Sequence, residues 1–126
     1  MNTWTSDELQ QIGQADELEV APEVGNGTLR PPTTIWVVPY GGELYVRAAY
    51  GPTASWYQAT RAHHRGNIRA AGIDKDVAFV DVPADDPIND HLDAGYREKY
   101  RDYGATYVDL MLTPQARAAT LKLVPQ

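Results

Sequence analysis

The sequence predicts one mainly β domain with helices (α+β) over residues 1–126: a small antiparallel split β-barrel of about six strands with two to four short helices. Three observations support this prediction. Six short segments are rich in β-branched and aromatic residues or alternate polar with apolar residues. Two of these segments flank Gly41-Gly42, as in a β-hairpin. Helices fall between the strands in an order that fits a split barrel better than a β-sandwich, which has more strands and fewer helices.

The N-terminal half is predicted to contribute two helices and three strands. Thr5-Ser6-Asp7-Glu8 has the Ser/Thr-x-x-Glu capping-box pattern, which predicts a short helix over residues 6–14. Ser55 is predicted to cap a second helix that runs from Trp56 to about Arg65, and Gly66 is predicted to end it. The three strands are predicted at residues 16–21, 33–40 and 43–49.

The C-terminal half is predicted to contribute three strands and two further helices. Residues 90–101 have a helical pattern that Gly95 weakens, and Thr113-Pro114 is a favourable helix start. Residues 107–112 are ambiguous between helix and strand. The strands are predicted at residues 67–71, 76–82 and 119–124, with a turn around Gly72 between the first two.

The composition excludes several classes of function. With 17 acidic and 11 basic residues the net charge is −6, whereas general nucleic-acid or anionic-membrane binding needs a basic surface. The absence of cysteine excludes disulfides, thiolate metal sites and cysteine nucleophiles. The first ten residues have no signal-peptide pattern, and no apolar run is long enough to span a membrane. We therefore expect a cytoplasmic protein with no nucleic-acid or membrane partner.

The charge is unevenly distributed along the chain. Residues 44–73 contain no Asp or Glu, yet they hold four of the eight arginines, namely Arg47, Arg61, Arg65 and Arg69. One interpretation is that this segment binds a small anion, such as a phosphate or a carboxylate. The other is that the arginines pair with acidic residues brought near them by the fold, as surface arginines usually do.

The most specific candidate site extends from Arg47 to the helix that follows it. A strand carries Arg47, and the start of the next helix near Ser55 offers free backbone N–H groups and a favourable dipole for an anion. Trp56 and Tyr57 add flat amphipathic surface beside it, as a flavin-type cofactor requires. The predicted cofactor-binding residues are Arg47, Ser55, Trp56, Tyr57, Arg61 and Arg65. The alternative is that Trp56 belongs to the core and the Arg/His face is solvated.

The catalytic residues cannot be assigned from the sequence, but four side chains are candidates: His63, His64, Tyr96 and Lys99. Tyr96, Lys99, Tyr100 and Tyr103 share one helical face, either to line a ligand mouth or to pack against the barrel. No metal site is expected, because the adjacent His63 and His64 cannot share a helix face and His91 lies far along the chain.

Five short motifs together resemble a family of small bacterial proteins of unknown function: Thr33–Val38, Leu44–Arg47, Trp56-Tyr57, Tyr96-Arg97-x-Lys99-Tyr100 and Ala118–Leu121. More distantly, the hairpin followed by a Gly loop and a Trp-Tyr helix is similar to deazaflavin-dependent nitroreductases and to the pyridoxamine-phosphate-oxidase-like flavin-binding split barrels. This resemblance implies that Arg47 and the Ser55 region bind the phosphate of FMN or a deazaflavin, and that Trp56 and Tyr57 line the pocket. The chain lacks the longer Arg/Lys/Ser signature of the oxidase family, so a protein without any cofactor stays an alternative.

Three functional hypotheses follow. The first is a flavin- or deazaflavin-dependent oxidoreductase, expected to be a homodimer, in which the cofactor performs hydride transfer. The second is a cofactor-free enzyme or a non-enzymatic protein that binds a small anionic or aromatic molecule in the same pocket, with His63 or His64 as a general base. The third is that residues 61–69 dock on the acidic part of another subunit.

Overall fold

The computed structural model describes residues 3–126, and this part of the chain folds into five α-helices and eight β-strands. Two 3₁₀ turns, Gly51–Thr53 and Arg101–Tyr103, precede α2 and α4. The helices are α1 (Ser6–Gln14), α2 (Ser55–His63), α3 (Ile88–Lys99), α4 (Ala105–Leu110) and α5 (Pro114–Arg117). The strands are β1 (Leu18–Gly25), β2 (Thr28–Leu29), β3 (Thr33–Ile35), β4 (Val38–Tyr40), β5 (Glu43–Arg47), β6 (Arg65–Ala70), β7 (Ile73–Val82) and β8 (Thr120–Pro125). The predicted α+β class is confirmed.

All the strands pair antiparallel in one sheet, in the order β2-β1-β6-β7-β8-β5-β4. β3 also pairs with β1, on the same side as β2. The segment 33–40 therefore contributes to both ends of the sheet, because its first part pairs with β1 and its second part with β5. The strand pairing forms no closed ring in the described residues, since β3 and β4 do not pair with each other.

The sheet has more strands than the predicted six, for two reasons. β2 is a two-residue strand that pairs with the end of β1. The predicted strand 33–40 is two strands, because its halves pair at opposite ends of the sheet and the chain must turn at Trp36 and Val37. The helices also exceed the predicted two to four, since the ambiguous segment 107–112 falls largely in helix α4.

The core consists of two clusters of buried side chains. The larger cluster lies between the sheet, α1 and α2, and includes Trp4, whose indole Nε1 donates to the Leu123 carbonyl at 2.9 Å. The smaller cluster lies between α3, α4 and the β4–β5 hairpin, and includes the fully buried Tyr96 and Tyr100. No helix in residues 3–126 has the length and apolarity that a membrane span requires; the longest, α3, has 12 residues.

Both predicted ends of α2 are shifted. The N-cap is Ala54 rather than Ser55, and no side chain caps this end of the helix. The helix ends at His63 because His64 turns the chain with a left-handed φ of 54°. Gly66 does not end the helix but lies in β6, opposite Pro22 of β1.

We predict that Gly66→Ala lowers the free energy of unfolding by about 1–3 kcal/mol, because a Cβ at this position meets backbone that has no room to move. The added atom would lie 2.5 Å from the Ala21 carbonyl oxygen and 2.8 Å from Pro22 Cα. Gly95→Ala in α3 is the matched control, since its Cβ meets only Val38 at 3.7 Å. Helix propensity predicts that this control raises stability by up to about 1 kcal/mol. Urea unfolding measures the free energy of unfolding of both variants. Equal values for Gly66→Ala and Gly95→Ala would contradict the prediction.

Candidate functional site

A cavity of about 300 Å³ lies between β3, the end of β5, the start of α2 and α4. Its walls are mainly apolar and aromatic, with contributions from Trp36, Ala49, Tyr50, Trp56, Tyr107 and Leu110. Tyr50 and Tyr107 are 76% and 61% exposed, which is unusual for large aromatic side chains. Aromatic surface exposed beside a concave cavity is typical of a binding site.

The turn before α2 sets one wall of this cavity. Gly51 has a φ of 77°, and a Cβ there would lie 2.8 Å from Gln115 Cβ, so only glycine fits between Tyr50 and α5. Because Ala54 provides no side-chain cap, the backbone N–H groups of residues 55–57 have no hydrogen-bond partner in the described chain. This end of α2 adjoins the cavity through Ala54 and Trp56. It therefore offers the anion-attracting helix start that the sequence predicts around Ser55.

Arg47 lies at the inner end of the cavity and is 1% exposed. All five of its N–H donors are bound within the protein. Nε donates to Thr120 Oγ1, Nη1 donates to Asp93 Oδ1 and the Met111 carbonyl, and Nη2 donates to the backbone and side-chain oxygens of Asn89. That Arg47 binds a phosphate stays a prediction, and such a phosphate would have to displace one of these partners.

Asp93 is the charged partner of Arg47 and also receives two hydrogen bonds from Arg117. Burial opposes ionisation of this carboxyl, but the hydrogen bonds from Arg117 and Arg47 outweigh it and hold the pKa of Asp93 below its usual value. The pair is therefore ionised at neutral pH. It joins β5 to α3 behind the cavity.

The other arginines of the acid-free segment are paired as well. Arg61 binds Asp81 at 2.7 Å, Arg65 binds Glu23 at 2.9 Å, and Arg69 binds Asp74 at 3.1 Å. The interpretation that these arginines pair with acidic residues in the folded chain is thus confirmed. Asp81 and Glu23 are distant in sequence from their partners, whereas Asp74 faces Arg69 across the β6–β7 hairpin. The cofactor roles predicted for Arg61 and Arg65 stay predictions, and neither residue lines the cavity.

The other predicted site residues of α2 lie at opposite ends of the helix. Trp56 lines the cavity. Tyr57 is buried beside Trp56, and the centroids of the two rings are 6.2 Å apart. His63 and His64 are exposed at the opposite end of the helix. At 1.5 Å per residue this end lies roughly 10 Å from Trp56. The structure does not bring either histidine into the cavity.

The aromatic face of α3 packs into the protein rather than lining the cavity. Tyr96 is fully buried, and its hydroxyl makes no hydrogen bond in the described residues. The Tyr100 hydroxyl accepts from the Val37 N–H and lies within hydrogen-bond distance of the Asp16 and Val37 carbonyls. Lys99 Nζ donates to the Val37 carbonyl at 2.6 Å. These two side chains satisfy the backbone at the turn between β3 and β4, where no strand partner is available.

This turn also places Trp36, which the sequence analysis left out of the site. Its ring stacks on Tyr100 with centroids 3.9 Å apart and an interplanar angle of 1°, and it lines the cavity. Tyr50 and Tyr107 were missed too. The sequence signal for Tyr50 as a site residue is its position directly before the Gly51-Pro52 turn. Nothing in the pattern of residues 107–112 indicates which of their side chains line the cavity.

We predict that stability rises between about pH 8 and pH 10, because burial lowers the pKa of Lys99 to about 8. The unfolded chain holds the Lys99 proton up to about pH 10.4, so between these values it binds more protons than the folded chain. The free energy of unfolding must then increase with pH. The measurement is urea unfolding at pH 7.5, 8.5 and 9.5. Lys99→Met should remove the increase, and a flat profile for the unmodified protein would contradict the prediction.

Comparison with known proteins supports the predicted family. The family model described as "uncharacterized protein conserved in bacteria (DUF2255)" matches residues 8–123. No curated protein matches the sequence significantly.

Several solved structures are similar over nearly the whole chain, among them the following three. The conserved hypothetical protein Rv2991 from Mycobacterium tuberculosis has a TM-score of 0.58 at 13% identity, covering 98% of this chain and 80% of its own. The FAD-binding protein mll6688 from Mesorhizobium loti has a TM-score of 0.56 at 14% identity, covering 98% and 89%. The FAD and heme binding protein from Mycobacterium smegmatis has a TM-score of 0.53 at 17% identity, covering 95% and 65%.

At these identities the structural likeness shows a shared fold and no more. The family match covers most of the sequence and agrees with the resemblance that the five motifs indicate. The chain therefore belongs to the bacterial DUF2255 family.

Proposed function

We propose that this protein binds the ring system of a flavin or a deazaflavin in the cavity between β3, α2 and α4. The observation that carries the proposal is the combination of aromatic walls with an uncapped helix start at one cavity. Trp36, Trp56 and Tyr107 offer flat surface for a planar ring, and the free N–H groups of residues 55–57 suit an anionic group beside it. Two of the similar structures described above are FAD-binding proteins, which supports this choice of ligand.

The size of the cavity limits how much of the ligand it can enclose. Its volume of about 300 Å³ lies at the lower end of the range for small-molecule pockets. The cavity residues would then hold the tricyclic ring, and Ala54 and Ser55 at the start of α2 would lie beside the ribityl chain and phosphate. Bound there, a flavin or deazaflavin supplies hydride transfer between a donor and an acceptor. The chain's own residues orient the ring and exclude water from one of its faces.

A cofactor-free protein is the second candidate, and the state of Arg47 favours it. Arg47 is the only Lys or Arg lining the cavity among residues 3–126, and its donors are fully used. The cavity would then take a smaller aromatic molecule without a phosphate. None of the four catalytic candidates lines the cavity, so binding without catalysis is part of this alternative. A homodimer is proposed for either candidate, and sedimentation equilibrium measures it.

Titration of the purified, dialysed protein with riboflavin, FMN and a deazaflavin tests the proposal. We expect each ring to quench tryptophan emission and to raise the melting temperature, because Trp36 and Trp56 line the cavity. FMN should bind more tightly than riboflavin if its phosphate reaches the start of α2. If none of the three ligands has either effect while simple aromatic carboxylates do, the second candidate replaces the first.

A further inference from the structure

One side of the cavity is formed by β3, and only one edge of this strand has a strand partner in the described chain. β3 pairs with β1 through Leu18↔Ile35, Glu19↔Thr34 and Val20↔Thr33, and no strand of the described chain pairs with its other side. Thr33, Thr34 and Ile35 all line the cavity. An unpaired strand edge presents backbone donors and acceptors that a partner can bind.

The hydrogen bonds of the neighbouring strand β1 show which residue of β3 has its backbone N–H and C=O on the unpaired edge. The Arg30 N–H donates to the Pro22 carbonyl, so this carbonyl points toward the β2–β3 side of β1. The backbone N–H and C=O groups of successive residues in a strand point to alternate sides. Those of Val20 and Leu18 therefore also point toward β3, and those of Glu19 point toward β6. A Cβ on Gly66 of β6 would lie 2.5 Å from the Ala21 carbonyl oxygen, as expected if the backbone groups of Ala21 also point toward β6.

This alternation assigns the backbone groups of β3. Thr33 and Ile35 lie opposite Val20 and Leu18 and form the hydrogen-bonded pairs with β1. Thr34 lies opposite Glu19, so its N–H and C=O both point away from β1, toward the unpaired edge. Neither group has a hydrogen-bond partner elsewhere in residues 3–126.

We propose that the Thr34 N–H and C=O form a recognition edge for an imide or cyclic amide of the bound ring. The N–H donates to a ring carbonyl, and the carbonyl accepts from the adjacent ring N–H, so the ligand completes the pair of bonds that another strand would make. This inference rests on the proposed function and narrows its ligand class to flat heterocycles with an –NH–CO– edge. The pyrimidinedione ring of flavins and deazaflavins has such an edge. A purely hydrocarbon aromatic ring has none.

The test compares two ligands that differ in one hydrogen-bond donor. Lumiflavin carries the ring N3–H without a ribityl chain or phosphate, and 3-methyllumiflavin has a methyl group in place of that hydrogen. We expect the methylated ring to bind at least about tenfold more weakly, because it loses one hydrogen bond and leaves the Thr34 carbonyl buried without a partner. Quenching of tryptophan emission measures both dissociation constants.

Thr34→Pro provides the matching change in the protein. Proline removes the outward N–H, while the bonds between β3 and β1 are made by Thr33 and Ile35 and are retained. The variant should bind lumiflavin at least about tenfold more weakly, because the bond to the ring carbonyl is lost, and should keep the discrimination against the methylated ring, because the carbonyl at position 34 is retained. Circular dichroism shows whether the variant is folded. If it is not, the ligand pair with the unmodified protein decides the question.

The outcomes separate the two proposals. Preference for lumiflavin over its methylated form supports the Thr34 edge. Equal binding of the two rings overturns the Thr34 edge and leaves the proposed function standing. If neither ring binds, the flavin proposal itself is overturned.

Discussion

Arg47→Met is expected to lower the free energy of unfolding by about 3–5 kcal/mol, the usual cost of removing one partner from a buried ion pair. The substitution leaves the Asp93 carboxylate without its buried partner, and removes the donors bound by Thr120, Asn89 and the Met111 carbonyl. Methionine fills similar volume, so the loss reports on charge and hydrogen bonding rather than on a void. Urea unfolding at pH 7 measures it.

Arg61→Met is the matched control for this prediction. Arg61 also pairs with an aspartate, at 2.7 Å, but its side chain is 48% exposed. Exposed pairs contribute about 0–1 kcal/mol, so this variant should differ little from the unmodified protein. Equal losses for the two variants would contradict the structural role assigned to the buried Arg47–Asp93 pair.

Ala49→Phe is expected to weaken binding of riboflavin or a deazaflavin at least about 100-fold, or about 2.7 kcal/mol. Ala49 lines the cavity, is partly exposed and follows the end of β5. A phenyl ring on this position occupies the space that the ligand ring needs. The free energy of unfolding should change by less than about 1 kcal/mol, because the new side chain enters existing space. Isothermal titration calorimetry and urea unfolding measure the two effects.

Ala62→Phe controls for the general effect of adding an aromatic ring. Ala62 is exposed on α2 and does not line the cavity. We expect this variant to bind the ligand as the unmodified protein does. Retention of full affinity in Ala49→Phe would exclude this cavity as the ligand site.

Much of the fold could be predicted because it depends on local patterns. The capping box at Thr5 starts α1 as expected, with reciprocal hydrogen bonds between Thr5 and Glu8. Gly41-Gly42 joins β4 to β5 in the predicted hairpin. The break in the segment 33–40 could not be predicted, because its cause is the distance between β1 and β5 at opposite ends of the sheet.

The site was harder to predict because charge along a sequence says little about charge in space. Residues 44–73 contain no acidic residue, yet each of their four arginines is paired in the fold, three of them with acids far along the chain and Arg69 with Asp74 across the β6–β7 hairpin. Arg47 in particular finds its partner 46 positions away, in α3. A helix after Gly51-Pro52 could be predicted from the residues that follow directly, but its start is shifted by one residue, with Ala54 rather than Ser55 as the N-cap.

The central claim is that a planar ring binds between β3 and the start of α2, and nuclear magnetic resonance of ¹⁵N-labelled protein tests it most directly. The three tryptophan indole N–H signals provide the comparison, since Trp36 and Trp56 line the cavity while Trp4 is bound to the Leu123 carbonyl in the core. On addition of riboflavin we predict large shifts for Trp36, Trp56 and the backbone amides of residues 55–57, and almost none for Trp4. Shifts confined to the exposed end of α2 at His63 and His64, or no shifts at all, would contradict the account.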